Sequence, residues 1–147
     1  MVRIERILIP TDGSEFSEMS ARYGLMLAKE LGAVVHAVHV FDMNTLVTTR
    51  YPETEEYIRK TCETYVNRVV EMGKEAGVEV GPLMYTGDPA KILVDLSNDY
   101  DLVVMGTVGR TGLSHMIIGS VAEKVVRLSK APVLVYKDKT KAEKSKH

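Results

Sequence analysis

The chain has 147 residues, 45% of them hydrophobic and 27% charged, which are ordinary proportions for one globular domain with a sizeable core. The net charge is −1, and because residues 137–147 carry +3, residues 1–136 carry −4; this slightly acidic body argues against a surface that binds duplex nucleic acid. The single cysteine, Cys62, leaves no internal disulfide, and neither a membrane-spanning run nor a secretion signal is present, so we expect a cytoplasmic protein without a membrane partner.

Strand-like and helix-like segments alternate from the beginning of the chain. The apolar residues Ile7–Ile9 predict a first strand. Ser14 is the expected N-cap of a helix whose apolar positions recur at helical spacing until Gly32 ends it. A second, nearly continuous apolar strand is predicted over residues 33–41, and residues 42–52 carry no periodicity and are predicted to form a loop.

The middle of the chain repeats the pattern. Apolar positions within residues 58–76, including Cys62 as a buried side chain, predict a second amphipathic helix that Gly77 closes. Residues 78–85 predict a third strand, which the Gly81-Pro82 pair places at an edge of the sheet. Asp88 and Pro89 have the order of an N-cap and a first helical residue, so a third helix is expected to start there.

The last part of the chain completes the alternation. Leu102–Met105 predicts a fourth strand, a helix is expected from about Ser120, and residues 131–136 predict a fifth strand. Five strands alternating with four helices predict a single doubly wound α/β domain, with a parallel sheet and helices on both faces. This domain is expected to span residues 1–137, and the Lys-rich residues 138–147 are expected to form a flexible tail.

The segment between the fourth strand and the last helix is the most informative part of the chain. It begins Met105-Gly106-Thr107-Val108-Gly109-Arg110 and ends at Gly119-Ser120. Glycines between a strand and a helix N-terminus let backbone N–H groups approach an anion, and the helix dipole favours negative charge there. The spacing is neither that of a P-loop nor that of a dinucleotide fold. We interpret the segment as a phosphate cradle with Arg110 as a nearby cation; a tight loop that needs glycine is the alternative.

A second unusual segment, Pro10-Thr11-Asp12-Gly13-Ser14, follows the first strand. In open α/β sheets, ligands bind beyond the carboxyl ends of the strands, at the point where the strand order reverses. If that reversal falls between the first and fourth strands, both segments face one crevice. Asp12 then offers a carboxylate to the hydroxyls of a ribose, opposite the phosphate cradle, which describes a nucleotide site. A turn followed by an N-cap is the alternative interpretation.

These motifs resemble those of the universal stress protein family over residues 1–137. The opening Ile-Leu-Ile-Pro-Thr-Asp-Gly-Ser and the ending Ala-Pro-Val-Leu-Val are similar to the family's first and last strands, and the Gly106-x-x-Gly109-x9-Gly119-Ser120 spacing matches its ATP-binding branch. The resemblance implies an adenine-nucleotide α-hydrolase-like, Rossmann-like fold with the sheet order 3-2-1-4-5. It also implies a homodimer, which we expect to pair through the apolar last strand, Val133–Tyr136.

The resemblance also implies a ligand, ATP, with Mg²⁺ bound through its phosphates. Asp12 would hold the ribose, while Pro10, Thr11 and Val40 would border the adenine. The remaining expected ligand contacts are Met105, Gly106, Gly109, Arg110, Gly119, Ser120 and Val121. The sequence assigns no catalytic residue and no metal-ligating residue.

The absence of a recognisable metal-plus-base constellation decides the preferred function. Fast phosphoryl transfer needs metal ligands and a positioned base, and Asp12, the one candidate acid, is assigned to the sugar. The sequence therefore favours an ATP-binding regulatory protein of the stress response, whose nucleotide state changes its shape or its unidentified protein partner. A slow Mg-dependent ATPase of the same fold and a dimeric interaction scaffold with a vestigial site are the alternatives.

His36 and His39 on the predicted second strand are candidate metal ligands. His36 and His39 are three residues apart, so their side chains point to opposite faces of the sheet and do not share a metal. Both are predicted to be interior histidines with hydrogen-bond partners.

Overall fold

The computed structural model describes residues 2–44, 55–107 and 118–137. The strands are β1 (Arg6–Pro10), β2 (Val34–Asp42), β3 (Val80–Gly87), β4 (Leu102–Gly106) and β5 (Val133–Tyr136). The helices are α1 (Glu15–Leu31), α2 (Glu55–Ala76), α3 (Pro89–Ser97) and α4 (Ser120–Leu128). The predicted alternation of strands and helices is confirmed. The loop prediction is wrong for residues 42–44, because Asp42 still belongs to β2 and Met43 and Asn44 are helical. The rest of the predicted 42–52 loop and the predicted tail at 138–147 lie outside the described residues.

All five strands are parallel and follow the order β3-β2-β1-β4-β5, as the family resemblance implied. The longest ladder joins β2 to β3, from Val35 opposite Val80 to Asp42 opposite Gly87. From β1 the chain runs outward to β3 on one side and then returns to β4 on the other. The strand order therefore reverses between β1 and β4, which is where an open α/β sheet binds its ligands.

Alternate residues of β1 supply two hydrophobic clusters, one on each face of the sheet. Ile9 packs in the first cluster with Leu25 of α1 and with the inner face of α2. Leu8 packs in the second cluster with Leu93 of α3 and Val125 of α4. Each fully buried aliphatic side chain contributes about 1.5–3 kcal/mol to folding. The central strand is thus covered on both faces, as the doubly wound prediction requires.

The helix ends follow the local signals in the sequence. The Ser14 side chain accepts a hydrogen bond from the Ser17 N–H at the start of α1, and Gly32 ends that helix in the left-handed conformation with φ 66°. The Asp88 side chain accepts from the Ala90 N–H at the start of α3. These caps satisfy backbone groups that helix ends leave without an intrahelical partner. The predicted boundaries of both helices are confirmed at these residues.

Three further predictions concern β3, α2 and the apolar runs. β3 lies at an edge of the sheet, where Pro82 is tolerated opposite Ala37, so the edge prediction is confirmed. Cys62 is buried on α2 as expected, and this burial raises the pKa of its thiol. Within the described ranges, none of the helices combines the length and the apolarity needed to cross a bilayer.

Candidate functional site

A cavity of about 470 Å³ opens where β1, β2 and β4 reach their carboxyl ends. Its wall also includes residues from α2 and from the first turns of α3 and α4. Nine of the expected ligand contacts line it, namely Pro10, Thr11, Asp12, Val40, Met105, Gly106, Gly119, Ser120 and Val121. The other two, Gly109 and Arg110, lie outside the described residues. The structure therefore brings the β1 turn and the α4 start together around one space.

The turn after β1 is held by its own side chains. The Thr11 N–H donates to the Val38 carbonyl at 2.8 Å, which ties the start of the turn to β2. Thr11 Oγ1 accepts from the Gly13 N–H at 3.2 Å, and Asp12 Oδ1 accepts from the Ser14 N–H at 3.0 Å. Asp12 is thus an Asx-turn residue, as the alternative interpretation held. An ionised carboxylate has about four lone-pair positions, so a side chain that accepts from the Ser14 N–H is still able to accept from a ligand.

Helix α4 begins at the cavity, and the described residues give it no side-chain cap. Its N-cap is Gly119, whereas the side chains of Ser14 and Asp88 cap α1 and α3. The first-turn residues Ser120–Ala122 line the cavity. N–H groups in the first turn of a helix have no intrahelical acceptor, and the helix dipole adds about half a positive charge there. This wall of the cavity has the chemistry of an anion site.

The backbone of Gly119 does not by itself require glycine. Gly119 has φ −73° and ψ 163°, an extended conformation that any residue adopts, so its backbone angles do not require glycine. Its N–H donates to the Thr107 carbonyl, which joins the two ends of the glycine segment next to the cavity. Glycine at position 119 does leave space for a ligand, because a larger side chain on this residue would stand at the cavity wall.

The structure adds two site residues that the sequence interpretation did not assign to the site. His39 of β2 and Tyr65 of α2 both line the cavity. His39 is 8% exposed, its Nδ1 lies 2.8 Å from the Thr11 carbonyl oxygen, and its ring meets that of Tyr65 edge to face at 4.9 Å. The helical periodicity of α2 indicates its inward face but not the strand residue that this face meets. These contacts depend on the pairing of β1 with β2, which a single sequence does not give.

Further cavity residues come from the ends of β2 and β4 and from all four described helices. They are Ser17, Val38, Phe41, Asp42, Thr61, Pro89, Leu93, Thr107 and Ala122. The Asp42 carboxylate accepts from the Asn44 N–H at 2.9 Å. The wall therefore joins apolar surface, which suits a planar base, to a few polar groups that would orient a ligand.

His36 and His39 lie on opposite faces of the sheet, as their spacing predicts. His36 meets the Tyr100 ring edge to face at 5.5 Å on the α3 and α4 side, away from Tyr65. The prediction of a hydrogen-bond partner holds for His39 Nδ1 but is wrong for His36, whose buried Nδ1 has no partner among the described residues. Burial and the nearby Arg6 cation lower the pKa of His36.

In the part of the chain that the structure describes, no three His, Cys, Asp or Glu residues are grouped to hold a metal ion.

Comparisons with known proteins agree on one family. The model of the universal stress protein family matches residues 3–137. Universal stress protein MJ0531 of Methanocaldococcus jannaschii is 36% identical over 139 residues, covering 90% of this chain and 82% of that protein. The solved structure of the hypothetical protein MJ0577 from the same organism superposes with a TM-score of 0.83 at 27% identity, over 94% of this chain and 99% of that one.

A second solved structure carries a ligand. The universal stress protein from Archaeoglobus fulgidus in complex with dAMP superposes with a TM-score of 0.69, over 92% of this chain and 98% of that one. At 20% identity this likeness concerns the fold.

Proposed function

Because this chain belongs to the universal stress protein family, we propose that it binds an adenine nucleotide in the cavity between the β1 turn and the start of α4. ATP is the expected ligand. One cavity holds both the start of α4, to which the described residues give no side-chain cap, and the turn that carries the Asp12 carboxylate, and this observation supports the proposal most directly. The start of α4 suits phosphate oxygens, and the Asp12 carboxylate suits sugar hydroxyls.

Each part of the nucleotide has a proposed place. Asp12 accepts from the ribose hydroxyls, and the adenine lies against Pro10, Thr11 and Val40. The phosphates lie against the end of β4 and the start of α4, where the proposed contacts are Met105, Gly106, Gly119, Ser120 and Val121. Gly109 and Arg110 complete the cradle in this proposal, on the strength of the glycine spacing alone.

The choice of base and of phosphate number has separate support. The Archaeoglobus fulgidus relative is described in complex with dAMP, which favours adenine as the base. The resemblance of the spacing Gly106-x-x-Gly109-x9-Gly119-Ser120 to that of the family's ATP-binding branch favours a triphosphate. Mg²⁺ would be bound by the phosphates themselves, and it would neutralise part of their charge.

We further propose that the bound nucleotide serves regulation in the stress response. The cavity wall is made by segments from both faces of the sheet, so occupancy changes how these segments hold together. In this proposal the protein acts in the cytoplasm as a homodimer, and the nucleotide state is read by a protein partner. A slow Mg-dependent ATPase and a vestigial site on a dimeric scaffold are the competing functions.

Calorimetric titration of the purified protein with ATP and with inorganic tripolyphosphate tests the site. We expect Asp12→Ala to weaken ATP binding by about 1–3 kcal/mol, the scale of a hydrogen bond to a charged group, and to change tripolyphosphate binding much less. Asp12→Asn is the matched variant, because its amide oxygen still accepts from the Ser14 N–H while the charge is lost.

Gly119→Val tests the phosphate side of the same site. The backbone angles of Gly119 suit valine, so circular dichroism should show a folded variant. We expect this variant to lose ATP binding because the side chain fills the space next to the α4 start. Folded Gly119→Val that binds ATP as tightly as the parent would show that the glycine segment is only a loop. A parent that binds no adenine nucleotide would favour the scaffold.

A further inference from the structure

The turn that carries Asp12 is supported from the side by a buried histidine. His39 Nδ1 lies 2.8 Å from the Thr11 carbonyl oxygen. A carbonyl oxygen only accepts hydrogen bonds, so Nδ1 carries the proton and donates it to Thr11. β1 ends at Pro10, so this carbonyl belongs to the first residue after the strand. The His39 side chain thus holds the turn to β2 at the residue that follows the end of β1.

A tyrosine from α2 supports the same turn and the same histidine. The Tyr65 ring meets the His39 ring edge to face, with an interplanar angle of 89°. The Tyr65 ring also packs against Gly13. The turn is therefore contacted by His39 at Thr11 and by Tyr65 at Gly13, with Asp12 between these two contacts.

The position of the Thr11 carbonyl sets the direction in which Asp12 leaves the turn. The peptide group that joins Thr11 to Asp12 is planar, so a donor that fixes the carbonyl also fixes the N–H and the α-carbon of Asp12. A binding carboxylate must be held within about 0.5 Å of its productive place, and neighbouring side chains supply that precision. An error in this peptide plane would move Asp12 relative to a ribose without disturbing the α4 start.

We propose that His39 is a positioning residue for Asp12, acting through the Nδ1–H bond to the Thr11 carbonyl and thereby setting affinity for the ribose-bearing part of the ligand. This inference rests on the proposed nucleotide site. His39 also lines the cavity, and the role proposed here is its support of the turn, which reaches Asp12 through the backbone of Thr11.

The test compares His39→Asn with His39→Leu. The amide nitrogen of asparagine is bonded to Cγ, as Nδ1 is, so His39→Asn keeps a donor near the Thr11 carbonyl. Leucine fills similar space but has no donor. Titrations with ATP and with tripolyphosphate then separate the ribose side of the site from the phosphate side, and thermal unfolding reports whether each variant is folded.

We expect His39→Leu to raise the dissociation constant for ATP about tenfold, as the loss of one well-placed hydrogen bond does, and to leave tripolyphosphate binding unchanged. His39→Asn should bind ATP within about threefold of the parent if its donor replaces Nδ1. Equal ATP affinity in the parent and in folded His39→Leu would overturn the positioning role while leaving the nucleotide site intact. Equal loss for ATP and tripolyphosphate would also overturn it, because a general disturbance does not select the ribose. A parent that does not bind ATP would overturn the proposed function itself and this inference with it.

A measurement on the parent protein covers the case in which His39→Leu does not fold. Nitrogen-15 NMR of the imidazole distinguishes the two neutral tautomers. The hydrogen bond requires a protonated Nδ1 both without and with nucleotide, and a His39 found with only Nε2 protonated would refute the proposal.

Discussion

Gly13 lies so close to the ring of Tyr65 that a β-carbon on Gly13 would overlap Tyr65 Cε1. Gly13 also has φ +78°, in the left-handed region that side chains rarely adopt. Two independent constraints therefore select glycine here, one from the backbone and one from the aromatic neighbour. Gly32 offers a comparison, because it has φ +66° and, among the described residues, no atom within 4 Å of where a β-carbon would stand.

Gly13→Ala should therefore cost more stability than Gly32→Ala. The left-handed conformation alone costs an alanine about 1–2 kcal/mol, and we expect this loss from Gly32→Ala with ATP binding unchanged. Gly13→Ala adds the displacement of the Tyr65 ring, so its free energy of unfolding should fall further and its ATP affinity should drop. Urea unfolding and calorimetry measure the two effects. Equal destabilisation by the two substitutions would contradict the aromatic constraint.

Asp101 should make the stability of the protein depend on acid pH. Its Oδ2 accepts from the backbone N–H groups of Glu5 and Arg6 at 2.9 and 3.0 Å, and these bonds lower the pKa of the carboxyl group. A carboxyl whose pKa is lower in the folded chain than in the unfolded chain stabilises the fold above the unfolded value of about 3.9. That stabilisation is lost as the pH falls through the lowered folded value.

Asp101→Asn tests this expectation. The variant should be less stable than the parent at neutral pH, and the difference should shrink as the pH falls from about 5 towards the lowered pKa. Urea midpoints measured across this range give the result. Asp99→Asn is the control, since Asp99 is an exposed neighbour of the same type. A difference between parent and Asp101→Asn that stays constant down to the acid limit would contradict the prediction.

The β5 edge should carry the homodimer contact. The carbonyls of Pro132 and Tyr136 accept from the N–H groups of Val103 and Thr107 on the β4 side. Backbone groups alternate along a strand, so the N–H of Val135 points to the outer edge, where a second chain would pair. Val135→Pro removes that donor, and Val135→Lys places a charge at the edge.

We expect the parent to be a dimer and both Val135 variants to be monomers in light scattering at the same concentration. Met84→Lys is the control on the opposite edge, because Met84 is exposed on β3 and should leave the assembly unchanged. Dimers that persist in folded Val135→Lys would place the interface on another surface.

Any ATP hydrolysis should be slow. Kinases turn over at about 1–100 per second with positioned metal ions and a base, and we expect a rate far below that range here. Phosphate release from homogeneous protein, with and without Mg²⁺, measures it. Several turnovers per second that disappear in Asp12→Asn would make Asp12 part of a catalytic site and the protein an enzyme.

The elements could be predicted where their signals are local. Ser14, Gly32 and Asp88 act within one helical turn of their own position, and the structure has each at the predicted boundary. The start of β3 was predicted two residues too early, at residue 78. The Val78 N–H donates to the Gly73 carbonyl and so belongs to the end of α2, a hydrogen bond that strand propensity does not reveal.

Those parts of the site that the strand order alone brings together could be predicted from the sequence. Asp12 and Ser120 follow different strands, and the reversal of strand order is enough to bring their segments to one cavity. His39 and Tyr65 were missed as site residues because their contacts depend on strand register and on the rotation of α2. The extended backbone of Gly119 was also beyond the reach of the sequence, because only coordinates give its φ and ψ.

The cavity wall joins α1, on one face of the sheet, to α4, on the other, through segments far apart in the chain. A ligand that contacts both the α1 side and the α4 side of the cavity binds the folded chain and not the unfolded one. At a ligand concentration of about 100 times the dissociation constant, such binding adds about 2.7 kcal/mol to the free energy of unfolding. Resistance to proteolysis would then rise and fall with the ligand supply, so the abundance of the protein in a cell would itself record the nucleotide level.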